Sequence, residues 1–315
     1  MLPRRRLGAH GPEVSALALG SWRTFERIER DQALGVMRDA RDLGVTFLDE
    51  ARYDDETGRA PIPTGYSEVL FGELFRGAGY SRGGVVMAEK LWWQFWPQQS
   101  AAEELAASLE RLRFDDVDLI YAVTLPERLS VAEATAEVAG ILASGAARSW
   151  GVANWTAQDL VAATAAAAQL GIAAPCAVQL PYSVVQRAWA EDTEMLEALR
   201  ASDASVVASA VLEGGLLSGK YAAAGATGRM AAEVADPARA AALRAGAELV
   251  ELAREWETSA AALAVAFTLD HPRLASVLVG ATSAAQLDAT AAAFEVHARL
   301  DDGQRARLRA VGVAR

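Results

Sequence analysis

Segments that read as a strand followed by a helix recur eight times along this chain, and few folds accommodate that count. The strand runs are Ala18–Trp22, Thr46–Asp49, Val85–Glu89, Val117–Val123, Ser149–Asn154, Ala177–Tyr182, Ser205–Leu212 and Ser276–Ala281. Between and after them the spacing predicts helices over Asp31–Leu43, Ser67–Phe75, Ser100–Leu112, Val131–Ser144, Ala157–Leu170, Asp192–Ala201, Pro237–Leu269 (more than one helix) and Ala284–Phe294, with a last helix over Asp301–Val313. The strand runs are mostly continuous and apolar, as expected where helices cover the sheet. Eightfold strand–helix alternation argues for one parallel (β/α)8 TIM barrel spanning residues 1–315. An open doubly wound sheet is disfavoured, because no Gly-x-Gly-x-x-Gly turn follows an early strand. Arg5 to Leu17, with His10-Gly11-Pro12 as its turn, reads as an N-terminal β-hairpin. Residues 222–236 form the most linker-like segment, but the flanking pattern continues the same series.

Function in such a barrel sits at the C-terminal ends of the strands. Those ends carry Asp49, Lys90, Asn154 and Gln179, all polar. Lysine is scarce: of 30 Lys and Arg residues, only Lys90 and Lys220 are lysines. Arginine stays charged and planar, whereas lysine is a compact ammonium whose acidity shifts on burial. Lys90, followed by Leu91-Trp92-Trp93-Gln94-Phe95-Trp96, is therefore a candidate for chemistry that arginine cannot do; a surface lysine at a strand end is the plain alternative. In that position it is expected to add little to the core.

Composition narrows the partners. A net charge of −11 disfavours nucleic acid and anionic membranes. Cys176 is the only cysteine, which rules out an intrachain disulfide and a multi-thiolate zinc site. His10, His271 and His297 show no metal-ligand spacing, so no metal is expected. The basic start Met1–Arg6 is not followed by an apolar run, and no segment approaches a membrane span; a cytoplasmic setting is expected.

Several motifs together resemble the aldo-keto reductase family along nearly the whole chain. Arg6-Leu7-Gly8 and Val14 to Gly20 resemble its opening hairpin and first strand. Phe47-Leu48-Asp49-Glu50-Ala51-Arg52-Tyr53 resembles its Asp-x-Ala-x-x-Tyr segment, and Glu89-Lys90 its strand-three lysine. Trp150-Gly151-Val152-Ala153-Asn154 resembles its Gly-Val-Ser-Asn, and Val178-Gln179 its strand six. Gly215-Leu216-Leu217-Ser218-Gly219-Lys220-Tyr221 resembles the loop that closes over a cofactor pyrophosphate. Val279-Gly280-Ala281-Thr282-Ser283 with Gln286-Leu287 resembles the adenosine end.

The resemblance implies reduction of a carbonyl, as aldehyde, ketone or keto-sugar, with NADPH or NADH. Tyr53 would give the proton, Lys90 would ease its release, and Asp49 would hold Lys90; a phenol near pKa ~10 is otherwise a weak acid at neutrality. Asn154 and Gln179 would meet the nicotinamide. Leu212, Gly214, Gly215, Leu217, Gly219 and Lys220 would surround the pyrophosphate, and Gly280, Thr282 and Gln286 the adenosine. Trp22, Tyr66, Trp92, Trp93 and Val123 are the expected substrate-facing positions.

The chain also departs from the family pattern. Val123 stands at the histidine that orients the carbonyl, with Thr124 next to it. The step from Asp49 to Tyr53 is one residue short, and the stretch 54–65 intervenes before Tyr66, which makes Tyr66 a rival proton donor. Ser209 replaces the aromatic that stacks on nicotinamide, and Ala210-Val211 the Ser-Pro after it. Thr282 stands where an arginine often grips the 2′-phosphate, and Thr290 where an asparagine often meets adenine. Two other readings stand beside the reductase: a cofactor-binding but redox-inactive barrel acting as a regulatory subunit, and a lyase or epimerase moving protons with Lys90 and a tyrosine. Self-association is left open.

Overall fold

The computed structural model describes residues 2–313 other than 223–225 and 227, so part of the expected linker-like segment 222–236 lies outside the described residues. Strands β1 (Arg4–Arg6) and β2 (Glu13–Ser15) pair antiparallel as the expected hairpin. The barrel strands are β3 (Leu17–Gly20), β4 (Phe47–Asp49), β5 (Val86–Leu91), β6 (Val117–Val123), β7 (Ala147–Ala153), β8 (Ala177–Pro181), β9 (Ser205–Ser209) and β10 (Leu274–Val279). They pair in sequence order, all parallel, and β10 returns to β3 to close the ring. The helices are α1 (Arg30–Asp42), α2 (Tyr66–Gly77), α3 (Ala101–Leu112), α4 (Val131–Ser144), α5 (Ala157–Leu170), α6 (Ala188–Glu191), α7 (Thr193–Ser202), α8 (Ala240–Glu255), α9 (Ala260–Thr268), α10 (Ala284–Ala291), α11 (Ala293–Arg299) and α12 (Asp302–Ala310). This is the (β/α)8 barrel with its N-terminal hairpin.

Helix starts follow from side-chain chemistry. Ser100, Ser130 and Thr156 each accept from a backbone N–H three residues on, while Glu103, Glu133 and Asp159 bond back to the cap. Each such reciprocal pair satisfies two donors that the first helical turn leaves free. The helix bounds expected for α4 and α5 coincide with the observed ones for this reason.

Strand alternation splits the core in two. Ala18, Phe47, Val86, Ala88, Leu119, Tyr121, Val123, Ala153, Ala177, Val207 and Ala275 point into the barrel, and Leu7 and Val14 of the hairpin and Cys176 pack with them. Leu19, Leu48, Met87, Leu91, Ile120, Val152, Val178 and Leu180 point outward and form a larger core with the helices. Small residues dominate several inward positions, which leaves room near the mouth for Asp49, Lys90 and Gln179.

Candidate active site

Parity decides which polar residues meet. Asp49 is two residues beyond inward Phe47, Lys90 two beyond Ala88, and Gln179 two beyond Ala177, so all three turn into the barrel. The Lys90 ammonium forms an ion pair with Asp49 Oδ1, and Gln179 Nε2 donates to Asp49 Oδ2 at 2.8 Å. Lys90 Nζ also approaches the Glu50 carbonyl at 3.5 Å. Lys90 is only 5% exposed and Asp49 2%. This corrects the expectation that Lys90 adds little to the core: it neutralises a buried carboxylate.

Tyr53 lies directly over this pair, its ring centroid 5.9 Å from Lys90 Nζ. Its backbone is held where the stretch 54–65 returns. Tyr53 N–H donates to Ser67 Oγ at 3.2 Å, and that hydroxyl donates to Ala51 O at 2.9 Å. Gly65 N–H donates to Tyr53 O at 2.9 Å, and Asp54 bridges to Thr64. Residues 54–65 therefore leave and return at one point, with Tyr53 and Tyr66 flanking the base. Tyr66 opens α2 and lines the same small hollow as Tyr53, Glu26, Asp55, Ala60 and Ser67, while the Lys90 ammonium lies beside Tyr53.

Electrostatics at the pair are opposed. Burial pulls the Lys90 ammonium toward deprotonation, but Asp49, Tyr53 and Glu89 together outweigh it and hold Lys90 above the usual lysine range. Burial pushes the Tyr53 phenol above its ordinary value; Lys90 acts against this, while Asp49 and Glu50 add to it. The lysine thus acts with the expected sign, though burial wins in the protein alone.

Aromatic rings wall the mouth. Trp22, 49% exposed, stands 6.5 Å from the Tyr53 ring, and Trp92 meets Tyr53 edge-on at 6.0 Å. Trp92 Nε1 is a buried donor without a partner among the described residues. Trp93 does not share this wall: it is 1% exposed and packs in the outer core. The strand runs two residues past Glu89, so alternation sends Trp93 outward and Trp92 inward. Glu104 of α3 accepts both backbone N–H groups, from Trp92 at 2.9 Å and Trp93 at 3.1 Å, which holds Trp93 at its left-handed φ of 61°. The Val123 side chain faces the interior, and its carbonyl is taken by the indoles of Trp93 (3.2 Å) and Trp155 (3.0 Å). Thr124 Oγ1 donates to Asn154 O at 3.3 Å. Neither position offers a side-chain donor to the mouth. Asn154 itself is exposed, with a left-handed φ of 60°.

Beyond β9 the chain turns through Glu213–Ser218 as a 3₁₀ segment in which Gly214 and Gly215 take φ of 69° and 97°. A side chain at Gly215 would meet Lys220 Cε at 2.9 Å and one at Gly214 would meet Met230 Cγ at 2.5 Å, so glycine at both positions lets Lys220 and Met230 lie against the turn. Glu213 braces the turn by accepting from Ser183 Oγ at 2.7 Å and Gln186 Nε2 at 2.8 Å. Leu217 is completely buried, so only its backbone faces the loop, and Leu212 is half-buried. Among the described residues neither Lys220 nor Arg229 pairs with a carboxylate. Arg229 lies over the Trp22 ring (5.6 Å) and donates to Trp22 O at 3.3 Å. Two cations without a carboxylate partner, both against this glycine turn near the strand ends, fit an anionic pyrophosphate. Beside β10, Thr282 N–H donates to Gln286 Oε1 at 2.8 Å and Gln32 Nε2 donates to Thr282 O at 2.6 Å; Gly280 follows the strand.

Arg229, Glu104 and Glu213 escape a reading of the sequence alone. Arg229 carried a signal, a lone cation in an Ala/Gly-rich loop of an acidic chain. The two glutamates become visible only once the backbone amides they accept from, or the side chains they brace, are in place.

A model of the Aldo/keto reductase family matches residues 16–312. A protein of Oryza sativa subsp. japonica named "Probable voltage-gated potassium channel subunit beta" is 29% identical over 311 residues, which covers 93% of this chain and 91% of that protein. A protein of the same name from Arabidopsis thaliana is 28% identical over 311 residues, with the same shares. No helix among the described residues is long and apolar enough to cross a membrane, and no group of three or more His, Cys, Asp or Glu residues is placed to hold a metal ion.

Proposed function

The chain belongs to the aldo/keto reductase family, and on that premise we propose that it is one barrel domain reducing an aldehyde, ketone or keto-sugar with NADPH or NADH. The observation that carries this reading is the buried Asp49–Lys90 pair directly beneath Tyr53. The nicotinamide, when bound, supplies the hydride. Tyr53 Oη gives its proton to the carbonyl oxygen as negative charge builds there, and the Lys90 ammonium stabilises the phenolate left behind. Asp49 fixes Lys90, and Gln179 fixes Asp49. With Val123 at the family's histidine position, the unpartnered Trp92 N–H takes over part of the carbonyl's orientation. Trp22 and Trp92 favour a flat or apolar substrate over a small hydrated one. Lys220 and Arg229 hold the pyrophosphate against the Gly214–Gly215 backbone.

Loss of a stacking ring at Ser209 removes about 0.5–1.5 kcal/mol, and Thr282 in place of a phosphate-binding arginine removes about 1.5–3 kcal/mol. Binding is therefore weak, with a narrowed preference for NADPH. Titration of both nucleotides by quenching of tryptophan fluorescence, repeated with Lys220→Met and Arg229→Met, tests the reading. Micromolar to sub-millimolar binding that each change weakens about tenfold supports it; no binding of either nucleotide at millimolar concentration overturns it.

A second reading is favoured by the relatives whose names give them as channel subunits. In it the barrel binds the nucleotide and serves as a regulatory subunit, with Val123 marking the loss of redox chemistry. Nucleotide binding without oxidation by any aldehyde would favour this over the reductase.

A further inference from the structure

The alternation that sends Asp49 and Lys90 into the barrel sends Glu50 and Glu89 the other way, into the layer beneath α2. Glu68 meets them from the buried face of α2. All three are completely buried, at 0% exposure. Their partners are few. Arg111 of α3 forms an ion pair with Glu68 Oε2, and Arg52, paired with Glu104 at 3.5 Å, also acts on Glu68. Glu89 Oε1 accepts the Lys90 N–H at 3.0 Å. Among the described residues Glu50 Oε1 and Oε2, Glu68 Oε1 and Glu89 Oε2 accept no well-formed bond, and neither Ser21 Oγ nor Arg52 Nε finds a well-formed partner, though the Ser21 hydroxyl lies near enough to Glu50 to favour its ionised form.

Charge counting sets what this cluster can be. Lys90, Arg52 and Arg111 are the cations facing it, and Asp49 and Glu104 already draw on two of them. The three further glutamates cannot all be ionised, since an uncompensated buried charge costs several kcal/mol. Burial holds Glu89 well above the carboxylate range, with Glu68 and Glu50 adding to it, and pushes Glu50 up to about 8. Glu68 is also raised by burial, with Arg111 acting against it. The cluster retains protons through neutrality.

One member reaches the chemistry. The Glu50 carbonyl touches Lys90 Nζ, and a Glu50 carboxylate acts on Tyr53 against release of the phenolic proton. We propose that Glu50 is a positioning residue for carbonyl reduction: protonated, it leaves Tyr53 able to donate, and ionised, it holds the phenol's proton back. No proton passes from Glu50 to substrate; its charge acts through space. Burial, with Glu68 behind it adding to the effect, keeps Glu50 neutral under ordinary conditions. This inference rests on the reductase reading.

The test has two arms. Infrared spectroscopy of the nucleotide-free protein should show the carbonyl band of a buried protonated carboxyl that titrates away in mildly alkaline solution and is reduced in Glu50→Gln. An alkaline-titrating band that persists unchanged in that variant would overturn the proposal. In the second arm, NADPH-dependent reduction of a nitrobenzaldehyde is followed against pH. The wild-type kcat should fall about three- to tenfold as Glu50 ionises, and in Glu50→Gln this limb should be absent. Ser21→Ala serves as a second variant if Glu50→Gln does not fold: without the serine hydroxyl, which favours the ionised form, the limb should move to higher pH. An alkaline limb that neither change alters would overturn the tuning role. Absence of wild-type turnover would overturn the reductase reading and the tuning role with it, while the infrared band still decides whether Glu50 holds the proton.

Discussion

Replacing Lys90 with methionine separates the structural and chemical roles of its ammonium. Met fills a similar volume, so the main effect is electrostatic. Asp49, 2% exposed, would keep the 2.8 Å bond from Gln179 on one oxygen and face a thioether with the other. Breaking a buried ion pair on one side costs about 3–5 kcal/mol, because the remaining charge is left uncompensated. Replacing both partners with neutral groups is often close to neutral. Lys90→Met should therefore lose about 3–5 kcal/mol, and Asp49→Asn combined with it should recover more than half of that loss. Urea unfolding followed by tryptophan fluorescence, without nucleotide, measures both; the midpoint should move with little change in slope. The double variant should remain inactive despite its restored stability, since no ammonium stands under Tyr53. A loss below about 1 kcal/mol for Lys90→Met, or a double variant no more stable than the single one, would refute the reasoning.

Other outcomes follow from the same geometry. Tyr53→Phe should lower kcat by about 10²–10⁴ with unchanged nucleotide affinity, whereas Tyr66→Phe should change kcat by less than about tenfold, read from steady-state rates on one aldehyde. Val123→His should raise the rate on small aldehydes by about tenfold or more, because it restores a donor facing the mouth; a lowered rate would show that the pocket needs that space. Stability should depend on Glu50: its folded-state pKa of about 8 lies above its ordinary 4.5, so the folded state holds a proton that the unfolded chain releases in between. That contribution is fully present below the ordinary value and is lost as pH rises through about 8, at about 1.4 kcal/mol per unit of pH at most. Urea midpoints at several pH values should therefore decline less steeply toward alkaline pH in Glu50→Gln than in the wild type.

Much of this architecture was legible in the sequence because it rests on local rules. Ser130 and Glu133 mark one end of α4, and an unbroken apolar run from Val117 to Val123 marks β6. Eight such units leave few ways to close. The inward set Asp49, Lys90 and Gln179 was legible for the same reason, since each is a polar residue at or beyond the middle of a mostly apolar strand. Trp93 was not. Its side depends on where β5 stops, and a strand end two residues later moves it from the mouth to the outer core. Glu50 and Glu89 were hidden by their neighbours, because a carboxylate beside a chemically suggestive residue reads as solvated until the helix above it is in place. The burial of Lys90, and hence its part in stability, depends on Asp49 and Tyr53 arriving from one segment of the chain and Gln179 from another.

The central claim is that Tyr53 and Lys90 complete a reduction that begins with a bound nicotinamide. A single turnover tests it most directly: protein in excess over NADPH, mixed with a nitrobenzaldehyde, with loss of the reduced nucleotide's absorbance followed in time. One equivalent of NADPH should be consumed in the wild type, far more slowly with Tyr53→Phe, and not measurably with the folded Asp49→Asn, Lys90→Met double variant. Full-rate consumption in both variants would contradict the account, as would NADPH that binds the wild type and is never oxidised by the aldehyde.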